Sequence, residues 1–122
     1  MTSEPSKALT RSGDEVYNDA ALLSLAMDDR ELANELVRIF LDEVPKHLDA
    51  LTAAVASGDA PSVLAAAHAL KGSAATVTAS RVAAAAQVLE TCGGSADLIN
   101  APQLLEDLKG SLRELNARLT VL

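Results

Sequence analysis

The sequence is short of the features that define several protein classes. Its single cysteine, Cys92, excludes an intramolecular disulfide, and no neighbouring cysteine suggests a zinc knuckle, which suits a reducing compartment. Positive charge is scarce: 10 basic against 17 acidic residues leave a net charge of -7. That balance argues against a phosphate-neutralising nucleic-acid surface and against a basic membrane patch. No apolar run approaches the roughly 20 residues that span a bilayer, and the polar stretch Met1 to Asp14 lacks the apolar centre of a secretory signal. A cytoplasmic protein with neither nucleic acid nor membrane as partner is the expectation. Aromatic residues make up only 2% of the chain, whereas 24 alanines and 20 leucines dominate it. These are the best helix formers, so an all-α domain follows, and 122 residues suffice for one core.

The punctuation of the chain divides it into helices. Residues 1–14 have no apolar period and read as a mobile tail, leaving 15–122 as the folded domain. A short helix within Val16 to Ala26, capped by Asn18, precedes a long one from about Asp29 to Ser57, capped by Asp28. In the long helix Leu36, Phe40, Val44, Leu48, Leu51 and Val55 recur at three- and four-residue spacings, with Pro45 predicting a kink and Gly58 a left-handed stop. Asp59 and Pro61 open a third helix to Val77, and a fourth runs from Ala79 to Cys92 and stops at Gly93-Gly94. The last helix, after Asn100 to Pro102, carries Leu105, Leu108, Leu112, Leu115, Leu119 and Leu122. Four long helices with short joints predict an antiparallel four-helix bundle, with the short N-terminal helix in addition. The alanine runs 65–67 and 83–86 read as places where two helices approach closely.

The third helix carries the chemistry. At 100° per residue, Val63, Ala66, Leu70, Ala74 and Val77 fall on one side, and Leu64, His68, Lys71, Gly72 and Ala75 on the other. His68 is thus off the core face, where a neutral imidazole offers one nitrogen lone pair to an electrophilic phosphorus. Gly72, one turn later, costs about 1 kcal/mol relative to alanine in a helix interior and brings no local benefit, so something large needs the space above His68. Lys71 places an ammonium within reach of a phosphoryl dianion on the ring. Leu64 and Ala75 add an apolar rim for a docking partner.

The run Ala67-His68-Ala69-Leu70-Lys71-Gly72-Ser73-Ala74-Ala75, followed by Ala79, Val82 and Leu89-Glu90, resembles the signature of histidine-containing phosphotransfer (HPt) domains of multistep bacterial phosphorelays. Upstream, Phe40-Leu41-Asp42-Glu43-Val44-Pro45 and the Gly58-Asp59 joint look like the second helix of that family, so the likeness spans about residues 15–120. The resemblance implies that His68 accepts a phosphoryl group on Nε2, that Lys71 stabilises its charge, that Gly72 lets a receiver domain approach, and that Glu90 orients the imidazole through its other nitrogen. One departure stands out: many members have glycine before the alanine that starts the next helix, where this chain has Thr78, a candidate N-cap.

With no glycine-rich phosphate loop, aspartate cluster or nucleotide pocket, the expectation is a phosphoryl carrier rather than an enzyme, without a cofactor of its own. The resemblance implies that a receiver domain of a response regulator or hybrid histidine kinase supplies the aspartate and Mg²⁺. Leu64, Gly72, Ala75 and Arg81 are the candidate docking residues, and a monomer is expected. Two other readings compete. A helical scaffold or dimerisation module explains the leucine stripes but not Gly72 beside an exposed histidine. A metal site would have to join His47 to His68, 21 residues away, with no third ligand at helical spacing. Ser73 and Thr76 are alternative phospho-acceptors without a nearby base.

Overall fold

The computed structural model describes residues 17–119, and every element among them is helical. The expected tail 1–14, Val16 and Leu122 lie outside the described residues. The elements are α1 (Asp19–Leu25), α2 (Arg30–Ser57), α3 (Ala60–Thr76), α4 (Ser80–Ser95) and α5 (Ala101–Leu119).

Local chemistry sets most of the boundaries. Asn18 caps α1 as expected, its Oδ1 accepting from the Ala21 N–H at 2.9 Å. The cap of α2 is Asp29 rather than Asp28: Oδ1 of Asp29 accepts from the amides of Glu31 and Leu32 at 3.0 and 3.2 Å. Asp28 has φ +62° and Met27 φ +56°, so both belong to a left-handed reversal, whereas an N-cap needs extended backbone. α2 then continues unbroken through Pro45 and ends on Gly58 at φ +70°. Its most buried residues are Ala33, Val37, Phe40, Leu51 and Ala54, with Leu36, Val44, Leu48 and Val55 packed at the flanks. Asp59 caps α3 through both carboxylate oxygens, one on the Ser62 amide at 3.2 Å and one on its hydroxyl at 2.8 Å.

Two expectations about α4 need correction. Thr78 is not its N-cap. That position falls to Ala79, which makes no side-chain capping bond, while Thr78 takes φ +59°, a region that glycine enters without strain. Its hydroxyl donates instead to the Asn18 carbonyl at 2.7 Å, tying the start of α1 to the α3–α4 joint. Nor does α4 stop at Gly93-Gly94; it runs through both and turns off at Ala96, φ +58°. Both glycines are in helical backbone.

α3 packs most extensively on α4. α2 lies against α3, α5 against α4, α5 also meets α2, and α1 sits on α2. The core contains no buried polar residue among those described, and Leu105, Leu108, Leu112, Leu115 and Leu119 of α5 are all buried. At the α1 end, Asp19 takes a two-pronged ion pair from Arg30 at 2.7 and 3.0 Å and accepts from the Tyr17 hydroxyl at 2.8 Å. Partial burial first, and then the Asp19 carboxylate, push the Tyr17 phenol up to about 12. No described helix is long and apolar enough to cross a membrane.

Candidate functional site

The outward face of α3 is as the helical wheel places it. Val63, Ala66, Leu70 and Ala74 are buried, and so is Ala67, while Leu64, His68, Gly72 and Ala75 are exposed and Lys71 is half-buried. The His68 side chain is 68% exposed.

The structure sets a carboxylate from α4 against this histidine. Oε2 of Glu90, 22 residues further along the chain, lies 2.9 Å from His68 Nδ1. Its other oxygen, Oε1, lies 2.7 Å from Lys71 Nζ as an ion contact rather than a well-directed hydrogen bond. The directed bond of Lys71 goes to Gln87 Oε1 at 2.8 Å. One carboxylate thus joins the histidine and the lysine. The Lys71 ammonium first, and the His68 hydrogen bond second, hold the Glu90 carboxyl below the usual glutamate value of 4.5. An ionised carboxylate only accepts, so Nδ1 is the nitrogen that bears the proton, and Nε2 keeps its lone pair. Glu90 is 17% exposed where His68 is 68% exposed. The inner edge of the ring is therefore held by protein and the outer nitrogen is open to anything that docks. Chemically, the arrangement presents an oriented nucleophile with a cation one helical turn away.

Two glycines frame the site in opposite ways. A Cβ on Gly72 would meet nothing within 4 Å, so the fold itself does not require glycine there. A Cβ on Gly93 would stand 2.5 Å from Leu64 N, 2.8 Å from Leu64 Cα and 2.9 Å from Ala60 O. Gly93 is where α4 lies against the backbone of α3, close enough for Glu90, one turn earlier, to reach His68. Read from sequence as a helix stop, it is a packing residue. Gln87 also escaped sequence reading. The only signal for it was its place three residues before Glu90, on the same face of α4.

The candidate docking residues divide. Leu64 is 37% exposed and borders, with Pro61, Ala65, His68 and Glu90, an open recess of about 340 Å³. Gly72 and Ala75 continue that face along α3. Arg81 lies at the start of α4, and its guanidinium is paired with Glu114 of α5 at 2.6 Å. Ile39 of α2, half exposed, lines a separate small recess of about 100 Å³ with Ser73 and Thr76 of α3. His47 stands 3.8 Å from Glu43 on α2, and the described residues contain no cluster of three or more metal-ligating side chains.

Comparison with known proteins places this geometry in context. A family model described as Hpt domain matches residues 35–118. Among solved structures, the crystal structure of histidine-containing phosphotransfer protein B (HptB) from Pseudomonas aeruginosa PAO1 is similar, with a TM-score of 0.80 and 25% sequence identity over 86% of this chain and 91% of that one. A search of curated protein sequences finds no match.

Proposed function

The chain belongs to the Hpt domain family, and from that premise we propose that it carries a phosphoryl group on Nε2 of His68 and exchanges it with the aspartate of a receiver domain in a two-component phosphorelay. The observation that carries this reading is the 2.9 Å contact between Glu90 and Nδ1 on a histidine whose other edge is exposed. It fixes the tautomer in which Nε2 attacks. In the forward step the Nε2–P bond forms as the bond from phosphorus to the aspartyl oxygen breaks, and the carboxylate departs with its electron pair. The Nδ1 proton stays in place opposite Glu90, so no base is needed to remove it. Aspartate and Mg²⁺ belong to the receiver. This chain supplies the nucleophile, its orientation and the Lys71 charge, so it is a carrier, and most of the acceleration is positional.

The docking face in this reading runs over Leu64, Gly72 and Ala75 of α3 and across to Ile39. The bundle is read as antiparallel, a view supported by short joints and by each long helix packing on the next. The test is transfer of label from phosphorylated receiver domains, with His68→Gln as control and the stability of the product checked in acid and base. Acid-labile, base-stable label on the wild type alone is the expected result. Label that persists in His68→Gln refutes the assignment.

A further inference from the structure

Among the described residues, the partners of Lys71 lie on α4. Its ammonium donates to Gln87 Oε1 at 2.8 Å and stands 2.7 Å from Glu90 Oε1, while the second oxygen of Glu90 faces His68 Nδ1. The lysine is therefore bound behind the carboxylate that holds the inner edge of the imidazole. Nε2 leaves the ring on the opposite edge. Gln87 is itself fixed in orientation: its NH₂ group donates to Thr91 Oγ1 at 3.2 Å, and that hydroxyl donates to the Gln87 backbone carbonyl at 3.0 Å. This leaves Oε1 as the atom turned towards Lys71.

We propose that Gln87 is a positioning residue of the phosphotransfer site: with Glu90 it parks the Lys71 ammonium on the Nδ1 side of the free histidine, and it competes with the phosphoryl group for that ammonium once Nε2 is loaded. The proposal rests on the reading of His68 as phosphoryl acceptor. When the Nε2–P bond forms and the donor leaves with its electron pair, a dianion appears on the outer edge of the ring, while the proton on Nδ1 still faces Glu90. An ammonium contact to a dianion outweighs one to a neutral amide oxygen, so the lysine turns towards the phosphoryl group and Gln87 loses it, while Glu90 Oε1, 2.7 Å away in the free state, remains its ionic neighbour. The Lys71–Gln87 bond thus belongs to the unphosphorylated state.

The test uses the full chain and phosphoramidate, a small N–P donor that needs no protein partner. Wild type, Gln87→Ala and Gln87→Glu, each with and without Lys71→Ala, are brought to equilibrium with phosphoramidate and ammonia, and phosphohistidine is read by phosphorus NMR against a His68→Gln blank. Losing the neutral acceptor raises the ratio of phosphorylated to free His68 roughly three- to tenfold, the net worth of one ordinary intramolecular hydrogen bond. Gln87→Glu strengthens the competitor and lowers the ratio. Gln87→Ala has no effect in the Lys71→Ala background, which a merely structural role for Gln87 would not reproduce. An unchanged or lowered ratio in Gln87→Ala, or a Gln87→Ala shift that survives Lys71→Ala, overturns the proposal. A wild type that takes up no more phosphate than His68→Gln overturns the reading of His68 itself, and the proposal falls with it.

Discussion

Glycine-to-alanine substitution at positions 72 and 93 has opposite consequences. Both positions lie inside helices, where alanine is favoured by about 1 kcal/mol. At 72 that preference acts alone, because the new methyl group meets nothing within 4 Å. Gly72→Ala therefore stabilises the fold by about 0.5–1 kcal/mol. At 93 the methyl stands 2.5, 2.8 and 2.9 Å from three backbone atoms of α3, well inside the roughly 3.5 Å of ordinary carbon contact. None of the three is the end of a flexible side chain, so the helices must separate. Overpacking costs about 1–3 kcal/mol, and with rigid backbone on both sides the upper end applies, for a net loss of about 2 kcal/mol after the helix preference is credited. At about 4 °C per kcal/mol for a chain of this size, Gly72→Ala melts about 2–4 °C higher and Gly93→Ala about 8 °C lower, measured by circular dichroism. Function separates them further. Gly72→Ala retains labelling by phosphoramidate but loses transfer from a receiver, whose surface needs the vacant space. Gly93→Ala weakens both, because moving α4 takes Glu90 away from His68. If Gly93→Ala melts at or above the wild type, or Gly72→Ala melts below it, the packing argument is wrong.

Three other outcomes are expected. Glu90 is held below its usual 4.5 in the folded protein, so its contribution to stability is complete above that value and is lost as the pH falls through the lowered folded-state pKa. In thermal melts over that acid range, the advantage of wild type over Glu90→Gln shrinks as the pH falls, and a pH-independent gap would refute the ion contact. Asp19→Asn removes the carboxylate that accepts from Tyr17, so phenolate absorbance shows titration moving from about 12 part of the way back towards 10.0, the remainder being due to burial. Ala75→Arg on the exposed face of α3 leaves the melting temperature within about 2 °C of wild type, since surface changes are small, but raises the receiver concentration for half-maximal transfer at least tenfold; an unchanged value would remove Ala75 from the docking face.

Much of the fold was legible because it depends on neighbours in sequence. Asn18, Gly58 and Asp59 do at their helix ends what their side chains or backbone freedom dictate, and α5 is the leucine stripe its spacing describes. His68 and Lys71 were legible for the same reason: the wheel of one helix is enough to put them outside. What escaped depends on two chain segments meeting. The choice between Asp28 and Asp29 turns on which one the α1–α2 reversal forces to positive φ. A Gly-Gly pair has the look of a terminator until a second backbone lies so near that a Cβ on Gly93 would stand 2.5 Å from it. The link from Gln87 to Lys71 spans 16 residues and exists only once α3 and α4 are in register. Glu90 was reached through family resemblance rather than pattern, and the pairing of Arg81 with Glu114 of α5, like the Gln87 link, joins residues on two helices.

The 22-residue separation between His68 and Glu90 has a consequence for anyone wishing to transplant this chemistry. A peptide bearing only residues 67–72 would contain the histidine, the lysine and the glycine, yet its imidazole would exchange tautomers freely and present a lone pair on either nitrogen. The smallest portable unit is the α3–α4 hairpin together with the glycine that lets its two arms touch. A scaffold that receives it must reproduce the spacing between those arms before it can reproduce the reactivity.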